Sequence, residues 1–145
     1  MLRVILAVAS LFLSLQAIAE PGTNPAPFKP TKQCMKEDKR TVAECFAAHI
    51  SFSIIMCDLQ ETAARLQPSE TAISDLGKCQ SKATSIAKEH YRALQDQLGK
   101  RKPAAIAAAK KVLVAHSAYM GSGVSKTALK GEIEKGLAEF DLEVE

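Results

Sequence analysis

Apolar residues recur at helical spacing in two long segments on either side of Pro68. In the first, Thr41 to Gln67, apolar positions step alternately by four and three residues: Cys45, His49, Phe52, Met56, Leu59, Ala63 and Leu66. In the second, Ser69 to Leu98, they are Ala72, Leu76, Cys79, Ala83, Ile86, His90, Leu94 and Leu98. This spacing places each set on one face of an α-helix. We therefore predict two long helices with the turn at Pro68, which cannot continue the first.

Two further segments show the same periodicity after Gly99. Pro103 suits the first turn of a helix, whose apolar face is Ile106, Ala109, Leu113, His116 and Met120, before Gly121-Ser122-Gly123 ends it. The last segment, Ser125 to Phe140, carries Leu129, Ile133, Leu137 and Phe140, but Gly131 and Gly136 weaken it. No segment alternates apolar and polar residues as a half-buried strand does. The predicted fold is all-α, an antiparallel bundle of three long helices and a shorter fourth.

Local signals predict several helix ends. Thr41 and Glu44 have the spacing of a capping box, and Ser69 is a suitable N-cap for the second helix. Gly99 is expected just past that helix, in the left-handed conformation that glycine adopts most easily. Gly77 weakens the second helix by about 1 kcal/mol relative to alanine, which makes it the candidate position for a kink or break in that helix.

The first nineteen residues have the pattern of a secretory signal peptide. Arg3 precedes an apolar run, and Ala17-Ile18-Ala19 offers a small-x-small cleavage site. The apolar run is too short to span a bilayer. The predicted organisation is a signal peptide at 1–19, a proline-rich flexible lead-in at 20–33 and a single helical domain at 34–145. We expect an exported protein, periplasmic or secreted, that does not span the membrane.

Composition and charge reduce the number of protein classes and partners to consider. The chain has 145 residues, 47% of them hydrophobic, and a formal net charge of +3, which fits one globular domain and disfavours a disordered chain. No aromatic residues interleave with its basic cluster, so we expect no nucleic-acid partner. That cluster is a candidate site for an anionic partner, although a solvated turn explains it more simply. Its members are Lys100, Arg101, Lys102, Lys110 and Lys111.

The four cysteines of an exported chain predict two disulfides. Cys45 and Cys57 lie on one predicted helix, roughly 18 Å apart along its axis, which exceeds the limit of roughly 7 Å for a bridge. Cys57 and Cys79 each lie eleven residues from Pro68, so an antiparallel hairpin brings them level. The predicted pairs are Cys34–Cys45 and Cys57–Cys79.

The chain offers little for catalysis. His49, His90 and His116 fall one on each long helix, and facing helices of a bundle can build a metal or haem site from such residues. Half-buried histidines bonded to their neighbours are the simpler interpretation. The sequence contains no C-x-x-C-H, no G-x-S-x-G and no glycine-rich phosphate loop. We expect no cofactor and no enzymatic activity.

Two stretches carry a family resemblance. They are Cys34-x10-Cys45 with Thr41 and Glu44 inside it, and Tyr91-x2-Leu94-x3-Leu98 followed by an alanine-rich helix ending near Tyr119. On these motifs, part of the chain resembles the LprI-like family of small exported bacterial proteins, some of which inhibit lysozyme. The resemblance implies an exported, disulfide-linked helical domain and suggests an inhibitor.

Two functions remain open from sequence. The first is an exported interaction protein, such as an inhibitor or immunity-type binder of a cell-envelope enzyme, with another envelope protein as its partner. The alternative is a periplasmic carrier that binds a small ligand or a metal ion within the helices. A native metal lost on replacing His49 and His116 would favour the carrier.

Overall fold

The structure, a computed structural model, describes residues 28–121 and 126–145 of the chain. Within these ranges it contains five helices and no strand: α1 (Thr31–Glu37), α2 (Val42–Leu66), α3 (Glu70–Leu98), α4 (Pro103–Gly121) and α5 (Lys126–Val144). The four longer helices form the predicted antiparallel all-α bundle, and α5 is as long as α4. The predicted signal peptide and most of the lead-in lie outside the described residues.

The predicted caps of α2 and α3 are confirmed. Thr41 Oγ1 accepts a hydrogen bond from the Glu44 amide at 3.2 Å, and the Glu44 carboxylate accepts one from the Thr41 amide at 2.7 Å. Ser69 accepts the Ala72 amide at 3.0 Å. These bonds satisfy amides that otherwise lack partners at a helix start.

The prediction for Gly99 is wrong, because the residue has right-handed helical angles (φ −50°, ψ −42°). Its lack of a side chain matters for another reason: a Cβ there would lie 2.4 Å from the carbonyl oxygen of Gln95. The only described residue with positive φ is Lys39, in the turn between α1 and α2. Gly77, the candidate position for a kink or break, lies inside a continuous α3.

Ordered packing begins before the predicted boundary at Cys34. Phe28 is buried with its ring edge-on to His49, at a centroid distance of 5.3 Å. Thr31 starts α1, and its amide donates to the Glu89 carboxylate at 2.9 Å. These contacts join residues 21 and 58 positions apart, so local sequence gives no signal of them. Phe28 and Thr31, predicted as part of a flexible lead-in, therefore pack on the bundle.

Small residues bring α4 and α5 close together. A Cβ at Gly136 of α5 would lie 2.7 Å from Cγ2 of Val112 on α4. Four alanines are among the buried residues of α4, as expected for close helix packing: Ala105, Ala108, Ala109 and Ala115. The ring of Phe140 on α5 contacts that of Phe46 on α2 at a centroid distance of 5.5 Å. The core therefore extends from α5 to α2.

The predicted apolar face of α2 is partly wrong. Cys45 and His49 are buried as expected, but Phe52, Leu59 and Leu66 are exposed. The buried face is displaced around the helix and consists of Val42, Ala43, Cys45, Phe46, His49, Ile50, Ser53, Ile54, Cys57 and Ala64. Apolar residues surround α2 on most sides, so periodicity alone does not determine which face meets the bundle.

Both predicted disulfides are present. Cys34–Cys45 has a Cα separation of 6.1 Å and holds α1 against α2. Cys57–Cys79 has a Cα separation of 5.8 Å and links α2 to α3 across the hairpin. No cysteine is free among the described residues, which include all four.

A polar cluster in the C-terminal half of α2, next to Cys57, anchors the start of α5 to α2. Tyr119 donates a hydrogen bond to the Asp58 carboxylate at 2.6 Å. Lys126 binds the Asp58 and Glu61 carboxylates and lies 4.9 Å from the centre of the Tyr119 ring. Burial, reinforced by the neighbouring carboxylates, raises the pKa of Tyr119, so its hydroxyl keeps the proton it donates.

Candidate functional site

The three histidines converge in the core, each from a different helix. The His49 ring on α2 lies 5.2 Å from that of His90 on α3 and 6.2 Å from that of His116 on α4, between centroids. All three side chains are buried. The sequence placed each histidine on an apolar face, but their meeting depends on the rotation of the helices.

Each histidine is held by one hydrogen bond to the protein. His49 Nε2 donates to the carbonyl of Ala83 at 2.8 Å, and His90 Nδ1 pairs with the Thr31 hydroxyl at 2.9 Å. His116 Nε2 lies 2.8 Å from Ser53 Oγ. Neither Thr31 nor Ser53 stands out in the sequence as a histidine partner.

Burial keeps all three rings neutral at pH 7. It lowers the pKa of His90 to about 4 and that of His116 to about 3, and in both cases the charge His49 would carry lowers it further. Burial also lowers the pKa of His49, against a smaller opposing effect of its bond to Ala83. A buried imidazolium would lose its hydration, and for His49 and His90 the charge of Glu89 offsets this loss only in part.

The histidine cluster does not have the form of a metal centre. Among residues 28–121 and 126–145, no three His, Cys, Asp or Glu side chains are grouped so that they could hold a metal ion. The cysteines that could have added soft ligands are in disulfides. His49, His90 and His116, the candidate metal ligands, therefore pack against one another as buried core side chains.

Ser53 and His116 have the composition of a nucleophile and its base, but both side chains are fully buried. The Ser53 hydroxyl donates to the Ile50 carbonyl at 3.1 Å, so His116 Nε2 carries the proton shared with Ser53. His116 Nδ1 is then a buried acceptor with no partner in the described structure. The hydroxyl proton is committed to the backbone, whereas an activated serine gives it to the histidine.

A cleft of about 530 Å³ opens above the histidines, between the segment containing α1 and the N-terminal half of α2. Phe28 and Phe52 form aromatic walls, with ring centroids 6.2 Å apart. The Cys34–Cys45 disulfide, His49 and His90 also line it. Three charged residues also line the cleft: Lys29, Asp38 and Arg40. This volume is within the range of pockets that hold small molecules.

Next to the cleft, large apolar side chains run along the solvent side of α2. We call Phe52, Ile55, Leu59 and Leu66 the α2 ridge; their side chains are 41%, 58%, 61% and 78% exposed. Phe52, Leu59 and Leu66 are seven residues apart, which is nearly two helical turns, so they align along the helix. Scattered exposed apolar residues are ordinary, but a contiguous line of them is typical of a binding surface.

No family model, no curated protein and no solved structure matches this chain. The resemblance to the LprI-like family therefore stays a prediction. The cleft, the α2 ridge and the histidine cluster are the features from which a function can be argued.

Three of the five residues in the predicted basic patch contact other groups of the protein. Arg101 donates to the carbonyl of Gln97 at 2.7 Å, near the end of α3. Lys102 donates to the carbonyl of Val144 at the end of α5, where a positive charge is favourable. Lys111 pairs with Glu139 at 2.9 Å. Lys100 and Lys110 are exposed, and the binding of an anionic partner by these five residues stays a prediction.

The apolar character of α2 extends to its overall composition. Over 18 residues its mean hydropathy reaches 1.5, and by length and composition it could cross a membrane. It is the only helix in the described ranges with this property, and half of that window is buried in the bundle. The core helix of a soluble protein can have the same length and composition.

Proposed function

We propose that this protein is an exported, non-enzymatic interaction protein that binds another protein of the cell envelope through the α2 ridge. The exposure of Ile55, Leu59 and Leu66 is the observation that carries the proposal. Burying three such side chains in a complex gains about 1.5 to 3 kcal/mol each in favourable cases.

The position of the ridge supports the same function. It lies on α2, which both disulfides tie to neighbouring helices. A partner therefore meets a surface that is already held in place, and a rigid surface loses less entropy on binding. Two disulfides also suit an oxidising compartment outside the cytosol.

The resemblance to the LprI-like family suggests the class of partner. We propose an enzyme that degrades the cell wall, with the ridge covering part of its surface. A single exported domain with no free thiol in the structure suits an inhibitor that must persist in that compartment.

Site-specific photo-crosslinking in the cell envelope tests this function. A photoreactive residue replaces Leu59 in the ridge or, as a matched control, Val114 on α4, which is 63% exposed. We expect one adduct of defined mass at position 59, identified by mass spectrometry, and none at 114. Equal adducts at both positions, or none at either, would contradict the proposal.

Purified components provide the second test. The identified partner, or lysozyme as a representative wall-degrading enzyme, is assayed for muralytic activity with the protein present. The double variant Ile55→Asp, Leu59→Asp is expected to lose inhibition or binding by at least about tenfold, while Val114→Asp retains it. Identical behaviour of the two variants would reject the ridge as the binding surface.

Export is tested separately from binding. Sequencing the N-terminus of protein recovered from the periplasm or medium is expected to give Glu20 as the first residue. Recovery of the chain only from the cytosol, with Met1 retained, would contradict the predicted signal peptide.

A further inference from the structure

We propose that the cleft between α1 and α2 is a binding site for a small molecule with an apolar body and one carboxylate. The site is distinct from the distal part of the α2 ridge, although Phe52 and Ile55 border both. It does not depend on the protein partner proposed above.

The walls of the cleft select an apolar body. Phe28 and Phe52 present ring faces or edges, and the Cys34–Cys45 disulfide with Ala48 adds further surface without charge. His49 and His90, deeper in the cleft, have their ring hydrogen bonds directed to Ala83 and Thr31. Neutral rings add no charge that an apolar ligand would have to cover.

Arg40 gives the lining of the cleft a cation that favours a carboxylate. Lys29 and Asp38 neutralise each other at 2.6 Å, and Lys29 also meets Glu37 at 3.3 Å. Arg40 is the third charged residue of the lining and has no ion-pair partner within 4.0 Å among the described residues. A guanidinium binds a carboxylate through two parallel hydrogen bonds.

The backbone near Arg40 is constrained, which favours binding. Lys39 has a φ of 53°, and it reverses the chain between α1 and α2. The Cys34–Cys45 bridge encloses this turn, and the Thr41 capping box follows it directly. Because the turn is held on both sides, little backbone freedom is lost when a ligand binds.

Glu44 is an acidic residue whose pKa is affected by the charge of Arg40. Its carboxylate bonds to the Thr41 amide and hydroxyl at 2.7 and 2.9 Å. These bonds lower the pKa of Glu44, and the charge of Arg40 lowers it further by a smaller amount. Glu44 does not line the cleft, so Arg40 remains the cation that a ligand in the cleft would meet.

Fluorescence titration of the purified, oxidised full chain tests the site with two matched probes. One is 11-(dansylamino)undecanoic acid, and the other is the corresponding alcohol, which differs only in its head group. We expect saturable binding of one probe per chain, with the carboxylate bound about three- to tenfold more tightly than the alcohol. An absence of saturable binding, or equal affinity for the two probes, would overturn the proposal.

Substitutions then place the probe in the cleft. Arg40→Gln is expected to remove the preference for the carboxylate while leaving affinity for the alcohol unchanged, and Arg101→Gln, at a residue that does not line the cleft, keeps the preference. Ala48→Trp fills the cleft and abolishes binding of both probes. Ser51→Trp, at an exposed lining position, is the second blocking variant if Ala48→Trp does not fold.

Two results separate this site from the protein-binding ridge. Leu59→Asp and Leu66→Asp are expected to leave probe affinity unchanged although they weaken the proposed protein complex. Retention of the carboxylate preference in Arg40→Gln, or unchanged binding in both folded tryptophan variants, would show that the probe binds elsewhere and would reject the cleft.

Discussion

At the scale of single residues, the histidine cluster shows how the core accepts polar rings. Each ring directs one nitrogen to a protein group, and the partners are Ala83, Thr31 and Ser53. Burial of a polar atom costs little once it is hydrogen-bonded, whereas burial of a charge remains costly. The rings are therefore compatible with the core only while they stay neutral.

This neutrality predicts a loss of stability in mild acid. The folded-state pKa values of His90 and His116 are lowered to about 4 and about 3, so the unfolded chain takes up protons first, near its ordinary histidine pKa of about 6.5. Stability is complete above pH 6.5 and falls as pH decreases toward 4. Each histidine contributes a slope of up to about 1.4 kcal/mol per pH unit.

Urea unfolding between pH 7.5 and 5.5 measures this slope, because carboxylates with ordinary pKa values of about 4 stay almost fully ionised in that range. The variant His116→Gln keeps a polar group near Ser53 but cannot titrate. Its stability should depend on pH less steeply, by about one proton, whatever its absolute value. An unchanged slope would show that His116 is protonated in the folded protein.

Tyr119 provides a second residue-scale prediction. Tyr119→Phe removes the donor to Asp58 without changing the packed ring, and we expect a loss of about 1 to 2 kcal/mol in the free energy of unfolding. Tyr91→Phe is the matched control, because no hydrogen bond of the Tyr91 hydroxyl is present in the described structure. Equal effects in the two variants would indicate that the bond to Asp58 does not contribute to stability.

At the scale of helices, α2 and α3 show when periodicity succeeds. In α3 one face is apolar, and Cys79, Ile86 and Leu94 are buried as predicted. In α2 apolar residues occur all around the helix, so Phe52 and Leu59 fitted the predicted stripe yet lie outside. The prediction fails where the sequence supports two faces, and there the surplus apolar face became the α2 ridge.

The two glycines of α5 give a prediction at this scale. Around Gly131 no side chain or neighbouring helix lies within 4 Å of an added Cβ, whereas at Gly136 it would lie 2.7 Å from Val112. Gly131→Ala is expected to stabilise the protein by about 0.5 to 1 kcal/mol through helix propensity. Gly136→Ala is expected to be less stable than Gly131→Ala by about 1 to 3 kcal/mol, because the core is overpacked.

Equilibrium unfolding in urea with both variants and the parent chain measures these differences. Gly77→Ala, also with no atom within 4 Å of an added Cβ, should behave as Gly131→Ala does. Equal stabilisation by Gly136→Ala would show that α4 and α5 can separate at no cost.

At the scale of the whole molecule, the disulfides connect elements that turns alone do not fix. Cys57–Cys79 keeps α2 and α3 in register, and Cys34–Cys45 keeps α1 and the cleft on α2. The sequence predicted both pairs because helix rise excludes one partner and the position of Pro68 favours another. Their distances thus follow from the helix lengths and the hairpin.

Removing a disulfide should have separable effects. The double variant Cys57→Ser, Cys79→Ser is expected to lose about 2 to 4 kcal/mol of stability, because the unfolded chain regains the freedom of the closed loop. The double variant Cys34→Ser, Cys45→Ser should in addition lose the carboxylate preference of the cleft. Non-reducing peptide mapping checks the pairing, and a Cys45–Cys79 peptide would contradict it.

By itself the sequence determined where the four long helices lie, how α2 and α3 begin and which cysteines pair. Caps, proline positions and helix rise act over a few residues, so they can be evaluated without knowing the fold. Only the tertiary structure decided that Phe28 is buried, that the three histidines meet and which face of α2 remains exposed. Each of these depends on packing between residues far apart in the chain, and for the histidines and α2 that packing sets the rotation of one helix against another.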